Sequence, residues 1–239
     1  SWRVRTQAGH LRLDQSLDTQ QQFNFRENRL VVEVQHLGVP GSIFGVGLEG
    51  VDGEYPDRPE GGILSREFTQ GTAFVSADWR YSGISTFRGR VGYTRRNNSG
   101  GGDRDFDGIT GELGYRRQLT GKTIATLQVF RQIFSVDNID ANFLRETGAQ
   151  AELFWTYSPN LGMDARYRYS DQQFETLSGF SGARNDKLST LTAELLFQPF
   201  RIVTFIFDVT YESRDSNVAG QSFDALRGGL ALRLSLDTE

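Results

Sequence analysis

Apolar residues recur at every second position along most of this chain, the signature of strands whose two faces meet different surroundings. Residues 201–214 show it best. Val203, Phe205, Phe207, Val209 and Tyr211 make one face, and Thr204, Ile206, Asp208, Thr210, Glu212 and Arg214 the other. The preceding run sets Leu191, Ala193, Leu195 and Phe197 against Thr190, Thr192, Glu194 and Leu196. The last run sets Leu226, Gly228, Leu230, Leu232, Leu234 and Leu236 against Ala225, Arg227, Gly229, Ala231, Arg233 and Ser235. Similar alternation runs through 72–81, 87–96, 109–116, 146–157 and 161–170. Weaker strands are expected near 1–13, 28–37, 42–52 and 122–136; in the last of these both faces carry apolar residues, and Arg131 interrupts the row Ala125, Leu127, Val129, Ile133. Almost nothing has the period of a helix.

The connections alternate in length. Short ones fall at 36–42, 80–86, 118–123, 157–160 and 198–200, each with the Gly or Pro that tight turns favour. Long ones, rich in Asp, Asn, Ser, Gly and Arg, span 14–27, 53–68, 97–105, 136–142, 171–187 and 214–222. Tight turns at one end and long polar loops at the other are what a transmembrane barrel shows on its periplasmic and extracellular sides. The hairpin period of about 40 residues continues from end to end, so residues 1–239 are expected to form one domain.

Length settles which face is greasy. Strands of about 13–16 residues exceed the usual soluble strand, whereas a tilted membrane span needs about 9–11. No stretch of about 18 apolar residues exists, so no membrane helix is expected. Backbone groups in hydrocarbon must all be paired, so a spanning sheet has to close. The expected fold is an all-β, antiparallel up-and-down transmembrane barrel of about twelve strands, in a bacterial outer membrane and in contact with its lipid and lipopolysaccharide. The aliphatic rows would face acyl chains, and the interior would carry Arg88, Arg90, Glu112, Arg116, Glu152, Asp164, Arg166, Arg168, Glu194, Asp208, Glu212, Arg227 and Arg233. Trp2, Trp79, Tyr81, Phe87, Trp155, Tyr157 and Phe197 stand near the short-turn ends, where amphipathic rings form an interface belt. Ordinary β-propensity of aromatics is the competing explanation.

Composition refines this. Hydrophobic residues are 37% of the chain and aromatics 12%, with 18 Phe and 27 Gly, as suits a sheet with one wet and one greasy face. A net charge of −4 argues against nucleic acid as a partner. Only Lys122 and Lys187 are lysine among 26 basic residues. Arginine's planar fork suits carboxylates and phosphates in partly buried places; a GC-rich genome would produce the same bias. The chain has no cysteine, which removes disulfides and thiolate chemistry, and it has no leader at Ser1, so an exported protein would be shown here in mature or trimmed form.

Catalytic chemistry is hard to place. His10 and His36 lack Ser or Asp companions by spacing, no metal-ligand cluster exists, and no cofactor is implied. The GGGD run at 100–103 lacks the strand–loop–helix context of a phosphate loop. Carboxylates are too evenly spread to nominate a hydrolase pair. RRNN at 95–98 sits at a strand end, where it would meet either anionic headgroups or water. No enzymatic activity is expected.

Four stretches carry a family resemblance: DGEYPDR (52–58), GRVGYTRRNNSGGGDRDFDGITGELGY (89–115), the LTGKT turn with its following strand, and YESRDSNVAGQSFDALRGGLALRLSL (211–236). In their order and spacing the chain resembles, from about residue 24 onward, the EpsL-like outer-membrane barrels associated with exopolysaccharide biosynthesis operons. The resemblance implies a protein that helps an exopolysaccharide reach the cell surface, and it transfers no catalytic residue. Family members are longer at the amino end, so these strands would be the whole barrel or the carboxyl part of a larger one. Leu236 stands where an aromatic often closes the last strand, and Asp237, Thr238 and Glu239 follow as an overhang. Two roles stay open: a polar conduit for exopolysaccharide or another acidic saccharide, or a salt-bridged, plugged barrel. In the second, the long loops, 53–68 and 171–187 above all, contact proteins of a secretion system.

Overall fold

A computed structural model gives the fold, describing residues 1–38, 41–59, 65–99, 105–135, 143–175 and 184–235. Twelve strands run in chain order: β1 (Trp2–Leu13), β2 (Phe25–Leu37), β3 (Ile43–Glu54), β4 (Glu67–Ser82), β5 (Ser85–Asn98), β6 (Phe106–Gln118), β7 (Thr123–Ser135), β8 (Phe143–Ser158), β9 (Leu161–Glu175), β10 (Asn185–Phe200), β11 (Val203–Ser216) and β12 (Phe223–Leu234). Each pairs antiparallel with its neighbours in sequence, in one sheet ordered β1 to β12. This is the up-and-down sheet that the alternation and the turns imply. The short turns all lie at one end, and Trp2 joins that end by pairing with His36. In the β2–β3 turn Gly41 takes φ 81°, a conformation glycine adopts without steric cost.

The register puts every aliphatic row on a single face. Val34, Val46, Val75 and Val91 follow one another across β2–β5, and Val129, Ala149, Tyr169 and Ser189 across β7–β10. These aliphatic side chains stand open: Leu48 is 66% exposed and Ile109 60%. The opposite face holds the buried polar groups Glu33, Gln35, Glu49, Thr72, Thr94, Arg96 and Glu146. The greasy face is therefore convex and the charged face concave, the reverse of a soluble barrel. Among the described residues no helix is long and apolar enough to cross a membrane, and the crossing elements of this fold are strands.

The structure departs from the sequence-based expectations in four places. A 3-10 helix, η1 (Asp18–Phe23), occupies part of the long 14–27 connection. Strands invade the long loops: β9 continues to Glu175, β10 starts at Asn185 and β11 reaches Ser216. Cross-strand pairing overrides the loop-like composition of these segments, as at Gln173–Asn185. In the RRNN run, Arg95 and Asn97 are exposed, but Arg96 and Asn98 turn onto the concave face and are buried. Lastly, no ladder joins β1 to β12 among the described residues, so the wall is an arc with two free edges. Side chains of both edge strands are exposed on both faces almost throughout, as follows when no neighbour flanks them. The GGGD run, Leu236 and the overhang after it lie outside the described residues, as do 60–64, 136–142 and 176–183 of the long loops.

Candidate functional site: the concave polar face

Each strand brings its polar side chains to the concave face at alternate positions, so one feature of the sequence builds the whole surface. The thirteen charged residues expected there all occupy its register positions. Their partners differ. Arg88 donates to Asp78 at 2.8 Å. Arg90 donates to Glu49 at 2.5 Å and lies over the Phe74 ring, 3.6 Å from its centroid. Glu112 accepts from the Gln128 amide at 3.1 Å. Arg166 reaches Glu152 and Asp164, each at 3.4 Å. Arg168 binds Glu146 at 2.9 Å and lies 4.0 Å from the Phe130 centroid. Glu212 accepts from Arg227 at 3.0 Å. Arg116 and Arg233 form no ion pair among the described residues.

The pairing also sets Asp164, Glu194 and Asp208 directly abreast on β9, β10 and β11. Like charges opposite one another oppose strand pairing, and glycine at 229 leaves space for the Asp208 carboxylate. The concave face is thereby divided. From β8 to β11 it carries the carboxylates of Glu146, Glu152, Asp164, Asp186, Glu194, Asp208 and Glu212 against Arg166, Arg168 and Arg214. From β1 to β6 the balance reverses, with Arg3, Arg5, Arg29, Arg88, Arg90, Arg96 and Arg116 against Glu27, Glu33, Glu49, Asp78 and Glu112.

Two contiguous cavities, of about 320 and 410 Å³, lie on the basic half and share Arg29, Glu49, Phe74 and Arg90. Sequence reading missed much of their lining. Glu49 is half of two ion pairs, with Arg90 and, at 3.8 Å, Arg29. Glu33 accepts from Gln35 at 2.7 Å and from Ser76, while Gln35 accepts from Arg3 at 2.6 Å. Thr72, Thr94 and Thr110 form a hydroxyl chain, 2.9 and 2.6 Å per link. The signal was present in the alternate positions of 28–37 and 42–52, but their Val and Gly neighbours diluted it. Phenylalanines on this polar face were missed as well. Phe25, Phe68 and Tyr55 form a small buried core toward the long-loop end, where Arg96 stacks 3.5 Å from the Phe68 centroid.

Each of the seven aromatics expected in an interface belt lies on the convex face at the short-turn end. Trp79 stacks on Phe87 and Phe87 on Tyr115, with centroids 5.6 and 4.5 Å apart. Tyr81 meets Trp79 edge-on at 5.4 Å, and Trp155 meets Tyr157 at 5.3 Å. Trp2 packs on His36 at 4.7 Å, and Phe197 on Phe205 at 6.4 Å. The histidines are thus accounted for: His36 is a ring partner, and His10 hydrogen-bonds Asn28 at 2.8 Å. Among the described residues no group of three His, Cys, Asp or Glu side chains is arranged to hold a metal.

No family model and no curated protein matches this chain. Solved structures do. The sheet superposes on the ferric enterobactin receptor of Pseudomonas aeruginosa with a TM-score of 0.58 at 11% identity, covering 96% of this chain and 42% of that one. It superposes on the ferric yersiniabactin uptake receptor of Yersinia pestis with a TM-score of 0.51 at 10% identity, covering 92% and 37%. The chain thus spans about two fifths of the receptors it matches. The fold is that of bacterial outer-membrane β-barrels, and the convex apolar surface is its membrane side.

Proposed function

We propose that this protein is a wall of an outer-membrane conduit whose concave face carries an acidic saccharide, such as an exopolysaccharide, across the outer membrane. The observation that carries the reading is the concave face itself: cavities on it are lined by Arg3, Arg5, Arg29, Arg88 and Arg90 among threonines, glutamines and the carboxylates of Glu33, Glu49, Asp78 and Glu112, so that arginines outnumber the acids there. Guanidinium groups favour carboxylates and phosphates, and side-chain amides and hydroxyls replace the hydration of sugar hydroxyls. The motif resemblance to EpsL-like barrels supports the polymer class, and the likeness to receptor barrels supports the architecture. In this reading the thirteen charged residues line the path, the seven aromatics hold the short-turn rim at the headgroup layer, and no catalysis is involved.

Purified protein in planar bilayers should conduct, and oligogalacturonate should reduce the current more than a neutral maltooligosaccharide of equal length. Absence of conductance, or equal block by both sugars, would count against the conduit. A structural barrel that presents its loops to secretion proteins is the competing reading. Its support is the extent of salt-bridging, from Arg90–Glu49 to Arg168–Glu146. These pairs, however, join strands no more than two apart and so brace the wall without bridging across it.

A further inference from the structure

The wall is not sealed along its length. β6 and β7 pair from Gln118–Ile124 up to Gly111–Arg131, and there the ladder stops. Above that point β6 continues to pair with β5 through Phe106, and β7 with β8 through Ser135. Two stretches that would face each other, 106–110 and 132–135, are left unjoined. Gly111, at the point of parting, has φ 153°. An ideal Cβ there would lie 2.3 Å from the Arg90 carbonyl oxygen, so glycine is required where the strands diverge.

The outer end of the seam is held by side chains. Arg96 donates to Ser135 Oγ at 3.2 Å, spanning from β5 to β7. Phe143 is buried and packs edge-on against Phe106 at 6.2 Å. Below this latch, both lips of the seam line the 320 Å³ cavity: Thr110, Gly111 and Glu112 on one side, Arg131, Gln132 and Ile133 on the other. The cavity continues inward to the threonine chain and Arg90. On the convex side the seam is flanked by Ile109, which is 60% exposed.

Arg131 is the anomaly that the seam explains. It sits in the outward row after Leu127 and Val129, is exposed, and has no ion partner among the described residues. An arginine on the lipid face of a barrel is costly near mid-bilayer and less so toward the interface. Unpaired backbone groups are costly there as well. An anionic headgroup lodged in the seam relieves both: it pairs the guanidinium and accepts from backbone N–H groups of the two lips, which no β6–β7 ladder joins among the described residues, while its acyl chains lie against the aliphatic rows.

We propose that the β6–β7 seam is a lateral binding site for a phosphorylated amphiphile, entered from the membrane, with its phosphate on Arg131 and its sugar in the threonine-lined cavity. This goes beyond passage along the concave face, since the ligand arrives through the wall. Lipid A is a suitable probe, with its dephosphorylated form as the comparison. In detergent, native mass spectrometry should show lipid A retained by the protein and the dephosphorylated form retained about tenfold less, the factor expected for losing one charge-assisted contact. Arg131→Gln should lower lipid A retention similarly, Arg131→Lys should restore part of it, and Arg166→Gln on the acidic half should leave it unchanged. Equal retention of the two lipids, or undiminished retention by Arg131→Gln, would overturn the assignment.

The seam itself is tested separately. The chain has no cysteine, so Thr110→Cys with Gln132→Cys places one thiol on each lip, opposite each other if the ladder were extended. An open seam resists direct disulfide formation but accepts a longer bismaleimide bridge, and bridging then excludes lipid A. Rapid, complete disulfide formation with lipid A still bound would show a sealed wall. Heat-modified gel migration reports folding of every variant, and conductance and its block by oligogalacturonate report the conduit independently.

Discussion

At the scale of single residues, glycine sets what the concave face can hold. A Cβ added at Gly148 would lie 2.3 Å from the Tyr169 carbonyl oxygen and 2.7 Å from the Phe130 ring. Phe130 fills that space and in turn carries Arg168. Gly148→Val therefore forces the backbone of β8 away from β9 and should cost about 1–3 kcal/mol, as overpacking does. Gly50→Ala, with nothing within 4 Å of its added methyl, should change stability by less than about 0.5 kcal/mol. Urea unfolding in lipid vesicles compares the two directly. Neither outcome is legible in the sequence, where both are a glycine in an alternating strand; only the cross-strand neighbour separates them.

At the scale of elements, each strand is two surfaces with opposite requirements. Leu113 and Val209 point to lipid, 54% and 52% exposed, and their immediate neighbours Glu112 and Asp208 point inward. Leu113→Arg or Val209→Arg should destabilise the vesicle-inserted protein by about 2–4 kcal/mol if the site lies near mid-bilayer. Asp208→Asn, which removes one carboxylate from the row with Asp164 and Glu194, should be neutral or stabilising, because it relieves like-charge repulsion. The same unfolding measurement ranks them. If Val209→Arg were harmless and Asp208→Asn severe, the two faces would be reversed. This distinction was readable from the chain: the alternation at 201–214 names both sets of residues, and strand length assigns the greasy set to lipid.

For the whole molecule the decisive feature is the pair of free edges. In hydrocarbon a row of unpaired backbone groups is costly, so β1 and β12 call for neighbours in the membrane. Hydrogen exchange in detergent should find the amides of β4, β5, β8 and β9 protected and the outward-edge amides of β1 and β12 exchanging fast. Equal protection in β1, β12 and the central strands would mean that the edges are joined.

The amino-acid sequence alone determined the strands, their antiparallel hairpin order, the inside-out polarity, the charged residues of the concave face and the aromatic rim. All of these follow from a period of two read over a dozen residues and from turn chemistry, which are local properties of the chain. Arg131 also stood out there as a break in an aliphatic row, without a reason. Only the tertiary structure decided what depends on which strand meets which, and at what height. The carboxylate row on β9–β11, the Arg29–Glu49–Arg90 contacts, the burial of Arg96, the seam at Gly111 and the open edges are products of register and curvature. A slip of two residues keeps every side chain on its own face, so the alternation alone leaves these features open, and they are settled only when each strand is paired with its neighbours.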